Sequence, residues 1–327
     1  MTPSARARRP ARPKRDAPVT GPIGSITVPG LPKPHPEIGI GLWNRGRWER
    51  ETEATVGATI DRAIDRGITW FDTAEVYGAG RSERLLGAAL GEHESVVPSL
   101  FLVTKVSWEH LRTAPVRAAI QGSLERLGRP RVDLYLVHAP DGRVPLEETT
   151  TALGALLDEG RIGAIGVSNF SVEELEAAQS ALGTKKIVAN QVRYNLIERE
   201  DGDPLRSYCR AHGVVLEAYT PLCHGLLAGR FLRDGTVPAA ARRGVRAFAA
   251  ENLPATIAQA RAIERIAKDA GVPLASIAFH WLRNQGAAPL FGASRPEQVD
   301  ANLEAWSVRP SPAVLEAADA VTAVEHA

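Results

Sequence analysis

The stretch ITWFDTAEVY, residues 68–77, decides the fold. An apolar, strand-like run stops abruptly at Asp72, and Tyr77 follows five positions on. Two later runs end the same way: LFLVTKV (100–106) carries Lys105 and VDLYLVHAP (132–140) carries His138. A buried strand interior does not tolerate such groups unpaired, so they mark the strand ends. Three ionisable groups and a phenol, delivered from consecutive strand-to-helix junctions, converge only if the strands run parallel with their carboxyl ends together. An α/β barrel builds a site in that way.

Working outward, strand-like and helix-like segments alternate along the chain. EIGIGLW (37–43) precedes a helix pattern at 51–67 that Gly67 closes. ITWFD leads to a helix at 82–92, with Ser82 expected as its cap. LFLVTKV leads to 115–128, with Pro115 in the first turn and Gly128 at the end. VDLYLVH leads to 145–160, where Pro145, Glu147 and Glu148 suit a positive helix start. RIGAIGVSN, KIVANQV, VVLEAYTP and AAPLFGAS supply four more strands, with helices expected at 171–183, 203–213 and 295–306. Eight such units predict a closed (β/α)8 barrel, the TIM-barrel class of α/β fold. SITVPGLP (25–32) predicts an N-terminal hairpin or plug turning at Gly30. A long connection at 222–253, two helices within 255–285 and a final amphipathic helix from 311 are additions to the pattern.

A chain of 327 residues fits one such barrel, expected over 23–327. Residues 1–22 are basic and Pro/Arg-rich with little to bury, which predicts a disordered tail. Arg8-Arg9 is followed by no apolar stretch of the kind an export signal needs. A net charge of +1 gives the body no electrostatic footprint for nucleic acid. No run is long and apolar enough for a membrane span. Cys209 and Cys223, only two and in different expected elements, read as thiols of a reducing cytoplasm. No metal site is expected. The partner expected is a small molecule, and oligomeric state is not written in the sequence.

Each of the four polar residues has an ordinary structural explanation when taken alone. Asp72 could cap a helix, Tyr77 could pack in a loop, and His138 could satisfy itself in a core. Lys105 resists this, because only six of the chain's 39 Lys and Arg residues are lysine. A lysine there points to ammonium chemistry. A phenol with an ordinary pKa of about 10 is a poor proton donor at neutral pH. A nearby ammonium would lower that value, and a carboxylate would hold the ammonium in place. Asp72, Lys105 and Tyr77 fit those roles, with Tyr77 as general acid. His138 would hydrogen-bond a substrate carbonyl.

The Asp72-Tyr77-Lys105-His138 series, with FDTAEVYG, GVSNF and GASRPEQ, resembles the aldo-keto reductases over about residues 36–308. HAPD and YTPL…GLLAGR lean toward the branch that includes bacterial sugar and aldehyde reductases and the potassium-channel β subunits. The resemblance implies NADPH-dependent reduction of an aldehyde or ketone in the cytoplasm. Its alternative is a nicotinamide-binding regulatory subunit of the channel-β type. There is no G-x-G-x-x-G after a strand, so a Rossmann site is not expected.

The resemblance instead implies a cofactor extended across the barrel mouth. Trp43 and Asp72 would contact it, and Ser168, Asn169 and Gln191 would hold its nicotinamide carboxamide, which side-chain amides and a hydroxyl suit. Tyr219 would stack on the nicotinamide, with Thr220, Pro221, Leu222, Gly225 and Arg230 continuing the site. Gly292, Ser294 and Arg295 would hold the 2′-phosphate at a helix start, and Gln298 and Asn302 the adenosine. His224, Arg230 and Ala301 depart from residues common in the family. Trp43, Trp108 and His138 are the expected substrate contacts. With Trp48, the two tryptophans read as an aromatic wall or as core residues.

Overall fold

A computed structural model describes residues 23–43, 53–236 and 245–323. The expected tail at 1–22 and Trp48 lie outside these residues. Two short strands open the described chain: β1 (Ser25–Ile26) and β2 (His35–Pro36) pair antiparallel, and Gly30 turns between them at φ 96°. The barrel strands are β3 (Gly39–Gly41), β4 (Trp70–Asp72), β5 (Phe101–Val106), β6 (Leu134–Val137), β7 (Ile165–Ser168), β8 (Ile187–Arg193), β9 (Val215–Tyr219) and β10 (Ala287–Gly292). Each pairs in parallel with the next, and β10 returns to β3 to close the ring. The predicted barrel is present.

Helices follow the strands on the outside: α1 (Glu53–Asp65), α2 (Arg81–Glu92), α3 (Thr113–Leu127), α4 (Leu146–Asp158), α5 (Val172–Leu182) and α6 (Asp203–His212). After β9 the chain makes a 3-10 turn at Cys223–Ala228, the short α7 (Arg230–Arg233) and another 3-10 turn at Arg246–Phe248. It then enters α8 (Leu253–Asp269) and α9 (Leu274–Asn284), the two helices expected within 255–285. After β10 come α10 (Pro296–Ser307) and α11 (Pro312–Thr322).

Two apolar layers hold the ring. The inner one gathers Trp70, Phe101, Val103, Leu134, Leu136, Val188 and Leu290, with Val28 and Leu31 of the N-terminal hairpin packed into it. The hairpin therefore plugs the end of the barrel away from the strand carboxyl termini. Glycine admits the bulk inside: a Cβ on Gly39 would stand 2.2 Å from the Trp70 ring, and one on Gly166 would stand 2.3 Å from Leu136. The outer layer lies between strands and helices and includes Ile60, Leu86, Ile120, Leu153 and Ile277. Burying this many apolar side chains is the main force closing the fold.

One expected cap is corrected. Ser82 lies inside α2, whose N-cap is Gly80 in the left-handed region at φ 77°, without a side-chain cap bond. The buried Ser82 hydroxyl instead meets the Thr73 hydroxyl at 2.8 Å and the Leu42 carbonyl at 3.2 Å. It ties the helix start to the ends of two strands. Cys209 and Cys223 are both buried, with no disulfide between them. Among the described residues, no helix is long and apolar enough to cross a membrane.

Candidate active site

Asp72 ends β4, Lys105 stands one residue from the end of β5, and His138 follows β6. Parallel register places these positions at one rim, and Tyr77 comes from the loop after Asp72. Lys105 Nζ donates to Asp72 Oδ1 at 2.5 Å, to the Thr73 carbonyl at 2.9 Å and to Tyr77 Oη at 3.5 Å. Lys105 is fully buried and Asp72 nearly so. An ammonium is retained in such a place only with hydrogen-bonded opposite charge around it. Burial works against the Lys105 charge, yet Asp72, Tyr77 and Glu217 together hold its pKa above the ordinary lysine value.

The Tyr77 hydroxyl departs from expectation. Burial pushes its pKa up to about 12, and Lys105 only partly opposes this, with Asp72 adding to the rise. The ammonium has the predicted sign, but desolvation of the phenolate outweighs it. Tyr77 thus remains a protonated donor throughout the neutral range. Its ring meets His138 edge-on at 5.5 Å between centroids, and Trp108 meets His138 at the same distance. Burial, with Lys105 second, drives the His138 pKa down to about 3. The imidazole is neutral at ordinary pH and serves as a hydrogen-bonding group.

Beside this cluster, Ser168 Oγ donates to the Gln191 carbonyl at 2.7 Å. Asn169, in the left-handed region at φ 61°, donates through Nδ2 to the His138 carbonyl at 2.9 Å. The Tyr219 hydroxyl donates to Asn169 Oδ1 at 3.0 Å. Gln191 Nε2 donates to Asp72 Oδ2 at 2.9 Å and to Glu217 Oε2 at 2.6 Å. The three carboxamide-binding candidates are therefore brought together and linked by hydrogen bonds to the Asp72 carboxylate. Glu217 was missed in the sequence. Its signal was a carboxylate in the middle of the apolar strand VVLEAYTP.

The loop after β9 is bent by four residues with positive φ: Thr220 at 57°, then Cys223 at 44°, His224 at 54° and Gly225 at 92°. Pro221 and Leu222 are buried, while Arg230 is exposed and pairs with Asp234 at 3.5 Å. The Thr220 hydroxyl and His138 Nδ1 are buried and meet no hydrogen-bond partner among the described residues. Buried polar atoms left in this state are uncommon in folded proteins. They fit a site completed by a bound polar group.

The clamp segment is arranged differently. A Cβ at Gly292 would meet no protein atom within 4 Å. Ser294 donates through its backbone N–H and its hydroxyl to Gln298 Oε1, at 2.7 and 3.1 Å. Arg295 is the extended N-cap residue of α10, and its exposed side chain has no ion pair among the described residues. Asn302 is buried on the same helix, two turns further along, whereas Ala301 is exposed. Trp43 and Trp108 are both exposed, each at 42%, so neither is a core tryptophan.

Known proteins resemble this chain in sequence and in fold. The sequence profile of the Aldo/keto reductase family matches residues 37–323. Aldo-keto reductase YhdN of Bacillus subtilis is 33% identical over 288 residues, covering 83% of this chain and 86% of that protein. The structure of the glycerol dehydrogenase AKR11B4 from Gluconobacter oxydans superposes with a TM-score of 0.80 at 30% identity, over 91% of this chain and 94% of that one. An aldo/keto reductase from Klebsiella pneumoniae, solved with NADP and acetate, gives a TM-score of 0.68 at 28% identity, over 91% and 95%.

Proposed function

The chain belongs to the aldo/keto reductase family, and from that premise we propose that it reduces an aldehyde or ketone to an alcohol with NADPH. The observation that carries this reading is the buried Asp72-Lys105-Tyr77 chain opening on neutral His138 at the barrel mouth. The coenzyme, when bound, supplies hydride to the carbonyl carbon. Ser168, Asn169 and Gln191 would hold its carboxamide, Tyr219 its ring face, and Ser294 and Arg295 its 2′-phosphate.

The protein's own residues handle the proton. Tyr77 Oη gives its hydrogen to the carbonyl oxygen as negative charge builds there. Lys105, 3.5 Å away, stabilises the phenolate left behind. Asp72 fixes Lys105 in that position and keeps the buried charges balanced. His138, neutral because of its burial, orients the carbonyl by a hydrogen bond. Trp108 walls the space above His138 and contributes apolar surface that excludes water.

Tyr77→Phe tests the reading directly. It removes the donated proton and little else, so turnover with a simple aldehyde should fall by about 10²- to 10⁴-fold. NADPH affinity, followed by quenching of protein fluorescence, should stay near that of the unmodified protein. Wild-type turnover in the variant would overturn the assignment.

A further inference from the structure

The catalytic chain does not end at Asp72. It continues down the barrel through Gln191 to Glu217, and from Glu217 Oε1 to His35 Nε2 at 3.0 Å. Glu217 and His35 are both fully buried, and neither reaches the mouth. His35 belongs to the N-terminal hairpin, where its ring lies edge-on to Trp70 at 4.4 Å and to Phe101 at 4.9 Å. The polar line therefore runs from the plug to the proton donor through an otherwise apolar interior.

Its chemistry constrains it. His35 Nδ1 stands 2.8 Å from the Pro36 carbonyl oxygen, which can only accept, so Nδ1 carries a hydrogen. The contact between Nε2 and Glu217 then requires one further proton, held by either the imidazole or the carboxyl group. In both cases the pair is neutral as a whole, as Lys105 with Asp72 is. Gln191 joins two charge-balanced pairs. Its Nε2 donates to a carboxylate oxygen of each, which uses both amide hydrogens and fixes the side chain's orientation. Gln191 pairs in register with Glu217 across β8 and β9, so strand geometry holds the two side chains together. No group among the described residues donates to Gln191 Oε1. That oxygen remains an acceptor for an amide N–H.

We propose that Glu217, secured from beneath by His35, is a positioning residue that orients Gln191 to receive the coenzyme's carboxamide. It touches neither coenzyme nor substrate and acts through Gln191 alone. The inference rests on the NADP-dependent reading above. It also explains why a carboxylate and an imidazole occupy places where apolar residues would pack at no desolvation cost.

The test compares two ligands on the full-length protein: NADP+, which carries the carboxamide, and 2′,5′-ADP, which lacks the nicotinamide half. Glu217→Leu should weaken NADP+ binding by about tenfold, the scale of one well-made hydrogen bond to an oriented partner, and leave 2′,5′-ADP binding unchanged. Glu217→Gln should restore NADP+ binding, because its amide oxygen still accepts from Gln191 and its amide nitrogen donates to a neutral His35. If Glu217→Leu does not fold, Glu217→Ser is measured in its place, with the same expected split. The proposal is overturned if the shortened or apolar variant binds NADP+ as the unmodified protein does. It is also overturned if both ligands weaken together, or if Glu217→Gln is as impaired as Glu217→Leu. These outcomes are separate from failure of the underlying reading, which would show as wild-type turnover in Tyr77→Phe.

Discussion

The proposed catalytic end of the mouth, around Lys105, and the proposed clamp after β10 are built on opposite plans. Around Lys105, every charge has its partner before any ligand arrives: Asp72, the Thr73 carbonyl, Tyr77 and, through Gln191, Glu217. Around Gly292 and Arg295, the backbone is open and the guanidinium has no ion pair among the described residues. Catalysis gains most from groups that need no reorganisation when charge develops, and the buried, fully partnered first region suits that proposed role. Recognition of an anion needs a donor still unspent, and in the second region that donor is the exposed Arg295 at the rim, because Ser294 is already engaged by Gln298. The same side-chain charge is thus worth different amounts in the two places, and substitution should expose the difference.

The largest effect should come from Lys105→Met. It deletes the cation that steadies the Tyr77 phenolate and leaves Asp72 as a buried carboxylate beside Glu217. Breaking one half of a buried pair costs about 3–5 kcal/mol of stability. Turnover should fall at least as far as in Tyr77→Phe, and the thermal midpoint should fall with it. A folded, active variant of unchanged midpoint would mean that the catalytic end is no more tightly wired than the clamp.

Arg295→Ala should be milder and of another kind. Its side chain is exposed, so stability should hardly change. A charge-assisted hydrogen bond to a 2′-phosphate contributes about 1.5–3 kcal/mol. The unmodified protein should accordingly prefer NADPH to NADH by about ten- to hundredfold. The variant should lose most of that preference with NADH affinity nearly unaltered. Equal binding of the two coenzymes to the unmodified protein would remove Arg295 from the clamp.

Strand ends and glycines made most of the fold legible from residues alone. Apolar runs stopping at Asp72, Lys105 and His138 could be read because polar groups are tolerated only where a buried strand stops or a partner waits. The same rule hid Glu217. It was passed over as part of VVLEAYTP because its partners, Gln191 and His35, are 26 and 182 residues distant in the chain. No local pattern reports such a pairing. Ser82 misled for a related reason: its position before an apolar helix suits a cap, but Thr73 and the Leu42 carbonyl, just past the ends of β4 and β3, claim its hydroxyl. Tyr77 shows the limit of charge counting. The sign of Lys105's influence could be written down beforehand, whereas the larger effect, burial, exists only once the barrel has closed.

The smallest effect concerns His138, and it tests how far the closed region's control reaches. Its folded pKa of about 3 lies below the ordinary value of 6.5. Between those values the unfolded chain binds more protons than the folded one. His138 should therefore leave stability unchanged above about pH 6.5 and lower it progressively as pH falls from there toward 3. The ring resonances of His138, followed by NMR, should show no titration between about pH 5 and 8, the range in which an unperturbed imidazole changes charge. Because Lys105 is the second cause of the depression, Lys105→Met should move the midpoint upward, provided the variant is folded at the pH examined. Burial is the first cause, so the midpoint should still stay below that of an exposed histidine. A ring that titrates normally in the unmodified protein would show that His138 stands in water, outside the closed region that keeps Lys105 and Tyr77 protonated.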